Sequence, residues 1–413
     1  MSRPDYAVHF HGLPKSYLGF TLLFVSAATL PSKSPYAPFI RVFLTPPALY
    51  FFYDFGYGSY ESPTHSVSLG LATVCLYGCM RVIETSLVGL WDVAPPFWIK
   101  DGVPQLLPDT TRGYMAYAFD LCTNLRGSSW FSGTHWDFIP PQFINPPQDR
   151  RTFLISNFKW LLQQYLILDL IDTMDKARPW QTWAYQQTGD PLALQYPITS
   201  LPVLTQIPLA ISVCTCTFLA ITFPFTIFSL IAVSLGGDPG GWPPMFDRPF
   251  HSHSLSDFWS NRWHFIFRRV FHRLSFIPVS FMASRTSATF ASIVKKLVTF
   301  FLSALLHVLI IHRLQFSPHP YNPSHLFFDR SILLFFLSQP IALIAEYAVV
   351  KPLARAFGGR YHALIVRSWT WIALLWTGRY WSDVWIARGL WLPQERIVGV
   401  SLIRGLAYGA WFP

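Results

Sequence analysis

His307 stands inside an apolar run, residues 297–311. An ionisable side chain in such a run is costly and ordinarily faces a cavity or a partner. A histidine with an ordinary pKa of ~6.5 can accept a proton at neutral pH, and a well-placed base contributes roughly 10²–10⁴ in rate. Read as a helix, the run aligns Lys296, Phe300, Ser303 and His307 on one face. Lys296 then lies about 16 Å along the axis from His307, near a surface when His307 is near mid-membrane. A structural histidine donating to a neighbouring carbonyl accounts for the position equally well. His312 falls about 140° round the helix, beside Arg313, and reads as interfacial.

A second imidazole, His264, sits in residues 254–273. At 100° per residue, Trp259, Trp263, Ile266, Phe267, Val270, Phe271 and Leu274 fall on one side. Asn261, His264, Arg268 and His272 share a narrow sector opposite, flanked by Arg262, Arg269 and Arg273, with Phe258 and Phe265 intruding. An aromatic face backed by an arginine-rich one describes an amphipathic helix in a membrane interface, here residues 254–275. A plain anchor satisfies that pattern.

The elements that position these residues are membrane segments. Of 413 residues, 52% are hydrophobic and only 13% charged, about half the charge of an ordinary soluble domain. The apolar residues arrive in runs: 17–30, 39–53, 67–91, 153–171, 201–235, 297–311, 331–350, 365–376 and 398–411. They predict about seven to ten membrane segments in a single domain spanning residues 1–413. Pro46-Pro47 would break the second run or leave it shallow. Arg81 and Glu84 in the third share a helix face and can pair; alternatively the span ends near Met80 and both lie among headgroups. Residues 201–235, with Pro202, Pro208 and Pro224, read as one kinked span or a span plus a re-entrant piece. Residues 92–151 and 172–200 are expected as extramembrane loops. Met1 to Leu13 lacks the apolar core and small-residue site of a cleaved signal peptide.

The net charge of +10 follows from basic loops facing the cytoplasm, or from a surface that meets an anionic co-substrate. Nucleic-acid binding would want a soluble basic domain, and none is visible. The five cysteines form no paired metal framework and read as packing residues, so no metal is expected. Gly236 to Gly241 is turn chemistry, with no Gly-Lys-Ser/Thr of a phosphate loop.

Asp257-Phe258-Trp259-Ser260-Asn261-Arg262-Trp263-His264 resembles the Asp-Phe-Trp-x-x-Arg-Trp-His signature of the wax-synthase-like branch of the membrane-bound O-acyltransferases. Ser303-Ala304-Leu305-Leu306-His307 is similar to the second histidine motif of that branch. Asn124-Leu125-Arg126-Gly127-Ser128-Ser129-Trp130 resembles an Asn-x-Arg-Gly-x-x-Trp element of its fungal members, with Ser-Ser where Ile-Gly is usual. Tyr165 to Asp169 is also family-like, on a helix whose role reads as packing.

The resemblance implies an all-α polytopic membrane bundle around an acyl-transfer tunnel. It implies transfer of an acyl group, acetyl above all, from acyl-CoA to a hydroxyl of a hydrophobic acceptor. A terpenoid or meroterpenoid of fungal secondary metabolism is the favoured acceptor, with long-chain wax or sterol ester synthesis as the alternative. The implied setting is a multi-pass protein of the endoplasmic reticulum with no permanently bound cofactor. His307 is then the base and His264 the positioning or oxyanion group, with Asn261 as substitute. Arg262, Arg268, Arg269, Arg273, Lys295 and Lys296 are candidate partners for coenzyme A phosphates, although the positive-inside bias alone would place them there. No Gly-x-Ser-x-Gly elbow supports a covalent serine route. A transporter or scaffold is the competing class, but a transporter commonly shows repeated halves, and none are detectable.

A donor role for His264 makes a testable distinction. His264→Asn should keep measurable activity, whereas His264→Ala should lose about 10²-fold or more in kcat, the usual cost of deleting an oxyanion donor. Equal and complete inactivity of both variants at matched membrane expression contradicts that role.

Overall fold

The computed structural model describes residues 13–57, 65–124, 128–129, 133–139, 149–189, 197–263, 266–283, 287–312, 328–387, 390 and 397–411. Helices dominate. In chain order they are α1 (Leu13–Ala28), α2 (Ala37–Tyr57), α3 (His65–Ser86), α4 (Thr111–Thr123), α5 (Arg150–Lys176), α6 (Trp180–Thr188) and α7 (Val203–Ser234). After a short turn, α8 (Leu255–Asp257), come α9 (Arg268–Ala283), α10 (Ala288–His312), α11 (Arg330–Ala345), α12 (Lys351–Phe357), α13 (Gly359–Ile386) and α14 (Leu402–Tyr408). The architecture is an all-α membrane bundle.

Four helical stretches are long and apolar enough to cross a membrane among the described residues: Leu69–Leu90, Val203–Ser234, Ala288–His312 and Arg330–Phe357. The expected seven to ten membrane segments also count shorter or more polar helices, which fall outside these four. The 16-residue α1 is about 24 Å long, short of a ~30 Å hydrocarbon core. α5 and α13 are long enough, but Lys159, Asp169, Asp172 and Asp175 interrupt one and Arg367, Arg379 and Asp383 the other. α2 runs unbroken through Pro46-Pro47. Residues 201–235 resolve into one 32-residue helix, α7, with Pro208 and Pro224 inside it.

Two stretches expected as loops are folded. Residues 92–151 contain α4 and a three-stranded antiparallel sheet, ordered β2 (Val103–Pro104), β1 (Trp98–Lys100), β3 (Thr134–Trp136). Trp98 pairs with Trp136 across it. Tyr117 and Trp136 are fully buried with their rings 5.1 Å apart, and Trp98 Nε1 donates to Asp120 at 2.7 Å. Tryptophans read as loop residues therefore build a small core. In residues 172–200, α5 continues to Lys176, and Trp180, Ala184 and Ile198 join the main apolar core. The family-like stretch on α5 holds the C-terminal segment: Tyr165 donates to the Val400 carbonyl, Asp169 accepts from Ile403 N (2.9 Å), and Asp172 pairs with Arg404 (2.8 Å).

Arg81 and Glu84 settle as a buried pair, 4% and 2% exposed. Glu84 also receives Arg269 at 2.8 Å and Arg273 at 3.0 Å from α9, and Arg273 reaches Asp92 at 2.6 Å. Arg81 donates onward to the Leu121 carbonyl of α4 (2.9 Å). One carboxylate on α3 thus gathers three guanidinium groups and fixes α9 to the bundle. Removing one partner of a buried ion pair leaves charge uncompensated, at about 3–5 kcal/mol. Glu84→Gln should lower stability by that order in detergent unfolding, and a loss within experimental error of zero contradicts the role given to Glu84.

Candidate active site

His307 lies on α10 with Nδ1 2.7 Å from the Ser303 carbonyl oxygen. A carbonyl only accepts, so Nδ1 carries the proton and Nε2 presents a lone pair. The ring stacks on Phe336 of α11, centroids 4.5 Å apart, and meets Trp381 of α13 edge-on at 5.3 Å. Trp381 is itself held by Thr217 of α7, accepting from its Nε1 at 3.1 Å. Four helices therefore set the orientation of this imidazole. The structural reading of His307 and the chemical one are compatible, because the nitrogen bound to Ser303 is not the one a substrate would use.

The signature segment departs from the single amphipathic helix expected over residues 254–275. Ser254 caps α8 by accepting from Asp257 N at 3.0 Å. Phe258–Arg262 then form one π-helical turn, closed by Trp263 N on the Phe258 carbonyl at 2.8 Å. Trp263 is extended, and helix resumes only at Arg268. Asp257 is the cause. Its Oδ2 accepts from Arg262 Nε (2.6 Å) and His253 N (3.1 Å), and its Oδ1 from Asn261 Nδ2 (3.1 Å). Arg262 can reach back five residues only across a widened turn. Partial burial works against ionisation of Asp257, but these donors hold its carboxyl below the usual range. The apolar face faces protein rather than lipid: Val270 and Phe271 are buried, and Phe271 packs with Ala72 of α3 and Leu306 of α10.

His264 and Phe265 lie outside the described residues. The turn that leads to His264 is nevertheless tied to the His307 region. Trp259 meets Phe300 of α10 at 5.4 Å and Phe335 of α11 at 6.4 Å, and Phe335 meets Phe336 at 4.9 Å. An aromatic layer thus runs from the signature turn to the imidazole. Two buried polar residues of α11 and its continuation complete the tie, and neither stood out in the sequence. Gln339 accepts from Trp259 Nε1 at 3.1 Å. Glu346 accepts from Leu255 N at 2.6 Å and Ser256 N at 3.4 Å, and pairs with Lys351 at 2.9 Å. Their signal was present, as polar residues within the apolar run 331–350.

The candidate cations divide. Arg262 is bound to Asp257, and Arg269 and Arg273 to Glu84 and Asp92. Arg269 also lies 3.8 Å over the Phe138 ring. Arg268 and Lys296 are exposed, Lys296 donating to Ser292 (3.0 Å), and Lys295 Nζ lies 2.9 Å from His272 Nε2. Asn261 has an amide N–H committed to Asp257. In the Asn124 element, Asn124 is buried beside Asp120, Ser129 N donates to the Thr134 carbonyl (3.3 Å), and residues 125–127 and Trp130 lie outside the described residues. A small cavity is lined by Asp172, Asp175, Trp180, Cys216 and Ile386 among others, and shares no residue with the layer around His307.

Residues 242–337, which contain both the signature turn and His307, match the family described as "Membrane bound O-acyl transferase family". The chain is 23% identical over 312 residues to "Acetyltransferase ple2" of Rhodocybe pseudopiperita, covering 71% of this chain and 74% of that protein. It is 24% identical over 290 residues to "Acetyltransferase eriL" of Hericium erinaceus, with 66% of each chain covered. To "Acetyltransferase ataH" of Aspergillus terreus it is 28% identical over 157 residues, 36% of this chain and 48% of that one. The helical bundle and these matches define an integral-membrane acyl-transfer enzyme. Residues 242–337 carry the likeness to that family, and the matches together support an O-acyltransferase that uses an acyl-CoA co-substrate and a hydrophobic acceptor at a bilayer.

The Asp257 clamp makes a prediction with a defined sign. A carboxyl held below its ordinary value stabilises the fold above that value and loses the effect as pH falls through the lowered one. Asp257→Asn should cost about 1.5–3 kcal/mol at neutral pH, the range for hydrogen bonds to a charged group. The difference between wild type and variant should shrink on acidification; a pH-independent difference contradicts the clamp.

Proposed function

We propose that this enzyme transfers acetyl from acetyl-CoA to a hydroxyl of a terpenoid or meroterpenoid in fungal secondary metabolism. We place it in the endoplasmic reticulum membrane, as one polytopic domain over residues 1–413. The names of the fungal relatives support acetyl as the group moved. The observation that carries the mechanism is the Nδ1 bond to Ser303, which leaves Nε2 to take a proton.

In the proposed step, His307 Nε2 accepts the acceptor's hydroxyl proton as that oxygen attacks the thioester carbonyl carbon. The tetrahedral oxyanion is met by a donor from the signature segment, His264 first, since Asn261 has an N–H bound to Asp257. The C–S bond then breaks, and the departing sulfur takes the proton from the His307 imidazolium. Ester and coenzyme A result, with the base restored. Arg268, Lys295 and Lys296 are the cations we assign to the coenzyme's phosphates, while Arg262, Arg269 and Arg273 hold the scaffold. A tunnel past the aromatic layer would bring thioester and alcohol to His307 from opposite sides.

The test supplies microsomes containing the protein with labelled acyl-CoAs and a panel of alcohols, and reads products by mass spectrometry. Wild type should form acetyl esters of bulky terpenoid alcohols. His307→Asn should form none at equal accumulation, because an amide is no base at neutral pH. Preference for long acyl chains would move the reading to wax or sterol ester synthesis, and near-normal turnover by His307→Asn would remove the base.

A further inference from the structure

α11 touches both halves of the site along one side. Phe336 lies on the His307 ring. Gln339, one turn on, is completely buried, and each of its polar groups is engaged by a different element. Its Oε1 accepts from Trp259 in the signature turn at 3.1 Å. Its Nε2 donates to Thr377 Oγ1 of α13 at 2.8 Å and to the Phe335 carbonyl at 3.1 Å. Beyond the end of α11, Glu346 receives the first backbone N–H groups of α8. At 1.5 Å per residue, Gln339 stands about 4.5 Å and Glu346 about 15 Å along the axis from Phe336. The same helix therefore measures off the imidazole, the middle of the signature and its start.

Stability alone is a poor reason for this arrangement. Replacing both partners of a buried polar contact with apolar groups of similar shape is nearly neutral or stabilising. A hydrogen bond adds direction, which an apolar contact between Trp259 and α11 would lack. We propose that Gln339 is a positioning residue for acyl transfer: through Trp259 it sets the placement of the signature turn relative to His307. The assignment rests on His307 being the base. Gln339 touches no substrate in this account and acts through the indole.

The test compares Trp259→Phe, Gln339→Met and the double variant in kcat, KM for acyl-CoA and thermal midpoint. Each single change leaves a buried group unmet, so both should lower the midpoint. The double change removes both partners of the indole–amide bond, while Thr377 keeps its bond to the Ala373 carbonyl (2.7 Å), so it should recover most of the loss. Its kcat should nevertheless stay about tenfold or more below wild type, since small misplacements at a reacting centre are expensive in rate. KM for acyl-CoA should hold at the wild-type value. A double variant with wild-type kcat shows a purely structural contact and overturns the proposal. Should the double variant fold poorly, Trp259→Phe assayed well below its own midpoint reads the same quantity, and wild-type kcat there overturns it too. His307→Ala run in parallel separates the two claims. Activity in His307→Ala sinks the base, whereas an inactive His307→Ala beside a fully active double variant sinks only the role of Gln339.

Discussion

A polar group carried into a membrane bundle has to find its partner in protein, because hydrocarbon offers none. That constraint organises this chain. Glu84 is answered by Arg81, Arg269 and Arg273, which ties α3 to α9. Glu346 is answered by Lys351 and by the start of α8. Gln339 is answered by Trp259 and Thr377. Apart from the Arg81–Glu84 pair within α3, these contacts cross between elements, so satisfying the buried groups also fixes how the helices sit. Apolar packing fills the space between them but tolerates sliding.

The signature segment shows the same logic at short range. Its Asp and Arg, Asp257 and Arg262, clamp each other across a π-helical turn, and its first Trp, Trp259, is bonded to α11. Trp263 packs among Phe246, Phe258 and Trp259. Most of the motif is thus occupied in holding its own shape. We assign substrate contact to its last residue, His264, together with the His307 imidazole, whose Nδ1 is bound to the Ser303 carbonyl. The basic residues divide in the same manner, with Arg262, Arg269 and Arg273 in internal ion pairs and Arg268 and Lys296 exposed.

Long apolar runs were legible in the sequence: α7 matches its expected limits within two residues and α10 its expected end within one, though α10 begins at Ala288, nine residues before the run expected from 297. The face of α10 that carries Ser303 and His307 was legible for the same reason, since helical period alone sets it. The break at Trp263 was not. Periodicity registers which side chains are apolar, not that a carboxylate will draw an arginine five residues on into a wider turn. The lobe around Trp98, Tyr117 and Trp136 was missed because its strands are two or three residues long and carry no alternation to detect. The pairing of Arg81 with Glu84 stayed open until α9 supplied further arginines from far along the chain. Gln339 and Glu346 find their partners 80 and 91 residues away, a separation that local pattern cannot bridge.

In the proposed mechanism, Nε2 of His307 faces the reacting thioester. The most direct measurement is a cryo-EM structure of the enzyme with a non-reactive thioether analogue of its acyl-CoA. The carbon standing for the thioester carbonyl should lie close to that nitrogen, with room between them for one hydroxyl oxygen at about 3–3.5 Å from each. An analogue bound with its acyl end on another face of α10, away from the aromatic layer of Trp259, Phe336 and Trp381, would contradict it.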